Sequence, residues 1–138
     1  QNLSDALRRS GIQADCLHGD IKQATREKTM ADFRHGKLPV LIATDVASRG
    51  IDVDDVDGVI NYDVPEENEY YIHRIGRTGR ARKKGISFTL LGSFPEKAKL
   101  DEIAKFAGFH IVPMIFDEYG CLVPAPAEEK HPTSRRRF

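Results

Sequence analysis

The sequence predicts an α/β fold: a mainly parallel sheet with helices packed against both of its faces. Three observations lead there. Short apolar runs, "LPVLIATD" (38–45), "VDGVINYDV" (56–64) and "GISFTLL" (85–91), alternate with longer segments of helical period such as "KQATREKTMADFRHG" (22–36) and "PEKAKLDEIAKFAGF" (95–109). Strands alternating with helices at this spacing form βαβ units, whose crossovers impose parallel pairing. The polar motifs "HGD", "TDVASRGID" and "YDVP" each follow a predicted strand, where ligands collect in such sheets.

In chain order, Leu3, Ala6 and Leu7 recur at helical spacing before Gly11, which predicts a helix over 2–10. "QADCLHG" (13–19) is a strand ending at glycine. The 22–36 helix presents Ala24, Met30, Ala31 and Phe33, and Gly36 closes it. The run 38–45 has the continuous apolar character of a buried parallel strand. The 56–64 strand repeats it, with Tyr62 expected in the core, and "EENEYYIHRIG" (66–76) begins a further helix. After the 85–91 strand, the 95–109 helix is expected to bury Ala98, Ile103, Phe106 and Ala107. "HIVPMIF" (110–116) closes the pattern as an edge strand, where Pro113 is tolerated. Residues 117–138 are rich in proline and end in three arginines, so they are expected to form a C-terminal extension, partly disordered, with a short strand near Cys121–Val123.

The 138 residues fit one domain with a real core, and 40% apolar with 30% charged residues describe an ordinary globular chain. Twenty-one basic residues balance twenty-one acidic ones, so no global field draws the chain to a polyanion and any anion site is local. The charge is uneven: His73 to Lys84 holds six Lys or Arg and no acid, whereas Asp52 to Asp57 holds four aspartates. Cys16 and Cys121 lie far apart without ligand spacing, so no metal site is expected. No run suits a bilayer span and the polar start is no signal peptide, which gives no membrane partner and a cytoplasmic location as expectations.

The stretch "YYIHRIGRTGRA" (70–81) sets Arg74, Arg77 and Arg80 three residues apart with glycines between them. Arginines repeated on one helix face repel, and each interior glycine costs about 1 kcal/mol against alanine. Guanidinium forks suit phosphate oxygens, and small neighbours let a phosphate approach. The bland alternative is a solvated basic face.

Taken in order, "HGDIKQATRE", "ATDVASRGIDVDDVDGVINYDVP" and "YIHRIGRTGRA" closely resemble the C-terminal RecA-like domain of DEAD-box ATP-dependent RNA helicases, over most of residues 1–116. The resemblance implies a three-layer RecA-like domain acting as the second motor domain. It implies that Arg77 and Arg80 are arginine fingers reaching the terminal phosphate of ATP, and that Gly50 and Asp52 also face the nucleotide. Gln23, Arg26, Thr44, Arg49 and Gly50 match positions on the RNA backbone, and His73 and Arg74 match structural or interdomain positions. His18 and Asp20 are expected to hold their turn. ATP and magnesium would be bound mainly by an N-terminal RecA-like domain of the same polypeptide, so the chain alone should not hydrolyse ATP. The other readings are a noncatalytic RNA-binding module and a DNA helicase motor domain. Where the family usually has glycine this chain has Arg82. The family's domain also opens with an interior strand ahead of the helix that here begins at Asn2. Its absence would leave two unpaired strand edges, and the segment Cys121–Val123 is a candidate to fill the gap.

Overall fold

A computed structural model describes residues 2–48, 56–78 and 85–126. The elements are α1 (Asn2–Arg9), β1 (Ala14–Leu17), α2 (Gln23–Arg34), β2 (Val40–Ala43), α3 (Asp45–Ser48), β3 (Gly58–Asn61), α4 (Asn68–Ile75), β4 (Ile86–Thr89), α5 (Phe94–Ala107), β5 (Met114–Phe116) and β6 (Leu122–Pro124). Every predicted segment holds an element with a shorter regular core, but the strand predicted over 110–116 forms only after Pro113, as β5 of a separate antiparallel hairpin instead of an edge of the parallel pairs. The four-residue α3 was not foreseen.

Pairing follows the βαβ expectation, in two pieces. β1 pairs parallel with β2, Ala14 opposite Val40, and β3 pairs parallel with β4, Gly58 opposite Ile86. Among the described residues no strand pairing joins β2 to β3. The apolar run at 38–45 is therefore only half-buried in β2 rather than fully enclosed. The strand predicted near Cys121–Val123 forms as β6, antiparallel to β5, with Phe116 opposite Leu122. It does not fill the β2–β3 gap: among the described residues β5 and β6 form a separate two-stranded hairpin. The Asp117 carboxylate accepts from the backbone N–H groups of Tyr119 and Cys121 and fixes the turn.

Two apolar clusters hold the pieces. Leu17, Met30 and Ala47 bury together, with Ile21, Phe33, Leu41 and Val56 packed around them. Tyr71, Leu100 and Ile103 form the second, with Val64, Ile75, Phe109 and Ile111. Tyr71 stacks on Phe109 with ring centroids 5.8 Å apart. Helix α5 thus buries Leu100, Ile103 and Ala104, while the expected Ala98, Phe106 and Ala107 are exposed. The stripe turns because α5 packs on α4 rather than lying squarely on a sheet. Its ends are well specified: the Ser93 hydroxyl accepts from the Glu96 N–H, Pro95 sits in the first turn, and Gly108 takes the left-handed C-terminal position at φ 75°.

The β3–β4 pair has two unlike faces. Asn61 and Thr89 point toward α4, whereas Ile60 and Phe88, also opposite each other in register, point away. Ile60 is 69% exposed. Tyr62, expected in the core, is exposed as well, and Asn61 takes the buried position at 2% exposure. With a period of two, a shift of one residue in phase exchanges inside for outside.

Core truncation should be costly in both clusters. Leu17→Ala and Ile103→Ala, at sites 1% and 0% exposed, should each destabilise by about 2 to 5 kcal/mol in urea unfolding. Phe94→Ala, at 88% exposure, should stay within about 0.5 kcal/mol of the parent. Equal losses at all three sites would contradict the core assignment.

Candidate functional site

The carboxyl ends of β1, β2 and β3 lead into three polar segments that side-chain hydrogen bonds tie together. After β1, the His18 Nδ1 accepts from the Asp20 N–H at 3.2 Å, so the histidine braces the turn as the sequence led one to expect. Helix α2 then starts at Gln23, whose Nε2 donates to Glu27 Oε1 at 3.2 Å along the exposed helix face. Arg26, one turn in and half-buried, donates from Nη2 to the Ala47 carbonyl at 2.9 Å. That bond fastens α2 to α3.

Helix α3 forms because Thr44 caps it: its Oγ1 accepts from the Ala47 N–H at 3.2 Å. A threonine followed by an acid in the first turn is the signal by which α3 could have been foreseen. Thr44 is exposed at this edge. Asp45, the first residue of α3, meets Arg74 of α4 in a two-point ion pair, with Nε to Oδ1 and Nη2 to Oδ2 both at 2.7 Å. The third guanidinium nitrogen, Nη1, donates to the Asp63 carbonyl at 2.9 Å and to its Oδ1 at 3.1 Å. One side chain therefore joins the segments after β2 and β3 to the helix that carries it. These contacts brace α4 against the segments after β2 and β3. Spacing could not reveal the partner, since Asp45 and Arg74 are 29 positions apart.

The Asp45 hydrogen bonds hold the Arg74 guanidinium above its ordinary pKa, against the opposing pull of burial, and Asp63 adds to the rise. A raised pKa on a cation means that folding favours the charged form. Its contribution is fully present below the unfolded value and is lost only as pH rises through the folded one. From the arginine side, the clamp is constant at every pH where proteins work.

Helix α4 ends at Gly76, and the chain runs on through Arg77 to Thr78. Thr78 Oγ1 donates to the Val56 carbonyl at 2.5 Å, and the Val56 N–H donates to the Arg77 carbonyl at 3.1 Å. The inward positions Tyr71, Arg74 and Thr78 are each anchored. His73 lies on the exposed side and Arg77 is half-buried beside it. Among the expected site residues, the structure brings Arg26, Thr44, Arg74 and Arg77 into one stitched edge. Arg49, Gly50, Asp52 and Arg80 lie outside the described residues. A cleft of about 440 Å³ between the starts of α4 and α5, lined in part by Glu66, Glu96 and Lys99, sits at the other end of α4. Its charge is wrong for an anion.

The pattern described as "Helicase conserved C-terminal domain" matches residues 1–82. The chain is 46% identical over 116 residues to the probable ATP-dependent RNA helicase DDX17 of Mus musculus, covering 83% of this chain and 18% of that protein. It is 51% identical over 112 residues to the ATP-dependent RNA helicase FAL1 of Saccharomyces cerevisiae (strain YJM789), covering 81% and 28%. The chain thus spans less than a third of either relative. Among solved structures, the C-terminal domain of the DEAD-box protein Dbp5 superposes with a TM-score of 0.73 at 38% identity, covering 78% of this chain and 63% of that one.

The clamp should show as energetic coupling. In a double-mutant cycle on unfolding free energy, Arg74→Ala with Asp45→Ala should give roughly 1 to 2 kcal/mol, since both groups are mostly shielded and paired at two points. The exposed Arg8 and Asp15 pair should give less than about 1 kcal/mol. A coupling at Arg74 no larger than at Arg8 would remove the clamp from the account.

Proposed function

We propose, from the premise that this chain belongs to the helicase conserved C-terminal domain family and is the C-terminal RecA-like domain of a DEAD-box RNA helicase, that it is the second motor domain of an ATP-dependent enzyme that unwinds or remodels RNA. The observation that carries the reading is the stitched edge: α2, α3 and α4 are bound to one another through Arg26 and Arg74, with Arg77 at the end of α4. One rigid edge then faces two anionic ligands.

In this reading Arg77 and Arg80 face the terminal phosphate of ATP. Phosphoryl transfer spreads charge over the departing oxygens, and a fixed guanidinium neutralises it without reorganising. Arg77 fits the task, because the backbone around it is pinned on both sides. Gly50 and Asp52 complete the nucleotide contacts. ATP and magnesium, held mainly by an N-terminal RecA-like domain of the same polypeptide, supply the phosphoryl group and the remaining positive charge. His73, exposed on the outer side of α4, faces that domain. Arg74 acts there indirectly, by fixing α4.

Gln23, Arg26, Thr44, Arg49 and Gly50 form the RNA-facing half, with contacts to the sugar-phosphate backbone. Arg26 has five N–H donors and gives one to Ala47, so it can brace α3 and still face a phosphate. The presence of Arg77, Arg80 and Asp52 argues against a noncatalytic RNA module, which needs none of them. The names of the relatives favour RNA over DNA as the substrate.

The chain alone should show no RNA-stimulated ATP turnover, and measurable turnover by the purified 138 residues would end this part of the reading. In the full-length helicase, Arg77→Ala should lower turnover by roughly a thousandfold. A fall of less than about tenfold is incompatible with a finger. Arg26→Ala or Arg49→Ala should weaken binding to all single-stranded RNAs alike and reduce the salt slope by about one phosphate contact. Loss confined to particular sequences would mean base readout instead.

A further inference from the structure

Beneath α4 lies a buried polar chain that the assignments above do not use. Asn61 at the end of β3 and Thr89 at the end of β4 are partners across the ladder and face the same side. Asn61 Nδ2 lies 3.2 Å from Thr89 Oγ1, and Thr89 Oγ1 lies 2.9 Å from the Tyr71 hydroxyl on α4. Asn61 is 2% exposed and Tyr71 4% exposed. The Asn61 Oδ1 is buried and has no hydrogen-bond partner among the described residues. A half-satisfied buried amide is destabilising relative to a satisfied one. Stability is therefore a poor reason for an asparagine at this position.

Its effect is directional. The apolar packing of Tyr71 and Ile75 against Leu100 and Ile103 restrains α4 through shape, whereas a hydrogen bond also fixes a direction. The Arg74 clamp and the Thr78 bond hold the far end of α4 and its exit. The bond from Tyr71 to Thr89 ties its middle to the sheet. A side-chain tip lies roughly 6 Å from the helix axis, so a turn of about 15° carries it about 1.6 Å. A misplacement of about 1 Å can cost a hundredfold in rate.

We infer that Asn61, Thr89 and Tyr71 are positioning residues that fix the rotation of α4 on the sheet and so place the Arg77 guanidinium for phosphoryl transfer. Asn61 orients the Thr89 hydroxyl, Thr89 holds Tyr71, and Tyr71 sets the helix. The inference rests on the reading of Arg77 as an arginine finger and adds to it the part of the fold that aims the finger.

The test is steady-state ATP turnover by the full-length helicase with poly(U) as the RNA. Thr89→Val keeps the side-chain shape and removes both bonds. It should lower kcat roughly tenfold while KM for ATP stays within about threefold, and Thr89→Ser should restore kcat to within about twofold. Tyr71→Phe should lower kcat in the same direction, and it carries the test if the valine variant does not fold. The deciding measurement is the double variant. Thr89→Val added to Arg77→Ala should cost less than about threefold more, because both changes act through one guanidinium, whereas independent effects multiply. Full multiplication, or wild-type kcat in both Thr89→Val and Tyr71→Phe, would overturn the inference with the finger intact. An Arg77→Ala variant with near-normal turnover would overturn the finger and this inference with it.

Discussion

Arg74 holds a position that no other residue could take without loss. It touches Asp45 at two points and Asp63 at two more, and it does so from a helix that also carries His73 and leads into Arg77. A lysine offers one compact charge and cannot hold two carboxylates and a carbonyl in a plane. Because β2 and β3 do not pair among the described residues, the two parallel strand pairs depend on this contact, on the backbone bridge from Val56 to Thr78, and on the packing of Val56 against the first cluster. The chemistry at the edge is therefore inseparable from the architecture.

Charge that serves a ligand must be held without being neutralised. Here Arg74 on α4 is consumed by carboxylates, while Arg77, three residues on and just past the helix, has its backbone pinned by Val56. The first sets the frame, and in the function proposed above the second serves the phosphate. Their equal spacing in the sequence conceals the difference, since it depends on which side of the helix faces Asp45.

Much of the fold was legible because it is local. The helices and strands follow from period and punctuation, and Gly108 and Ser93 mark the ends of α5 as their residue types dictate. What was not legible depends on phase or on distant partners. Tyr62 looked like core because it is aromatic, yet the register of β3 on β4 turns Asn61 inward. Phe106 looked like core because it shares a helical face with Ile103, yet α5 leans on α4 and buries Ala104. The basic site was visible in "HRIGRTGR" through composition alone. The carboxylates that organise it were not, because Asp45 carries no mark that sets it apart from any aspartate near a helix start.

The division between the strand pairs also bears on how the molecule opens. β1, α2 and β2 are consecutive, as are β3, α4, β4 and α5, so the contacts of each unit lie within one stretch of chain. The bond between Arg74 and Asp45, at 29 positions, closes a loop of about the same length as the strand pairs Ala14 with Val40 and Gly58 with Ile86, but it joins the two units. Amide exchange under native conditions is then governed by two cooperative blocks rather than one: the protons of β1 and β2 share one opening, and those of β3 and β4 share another.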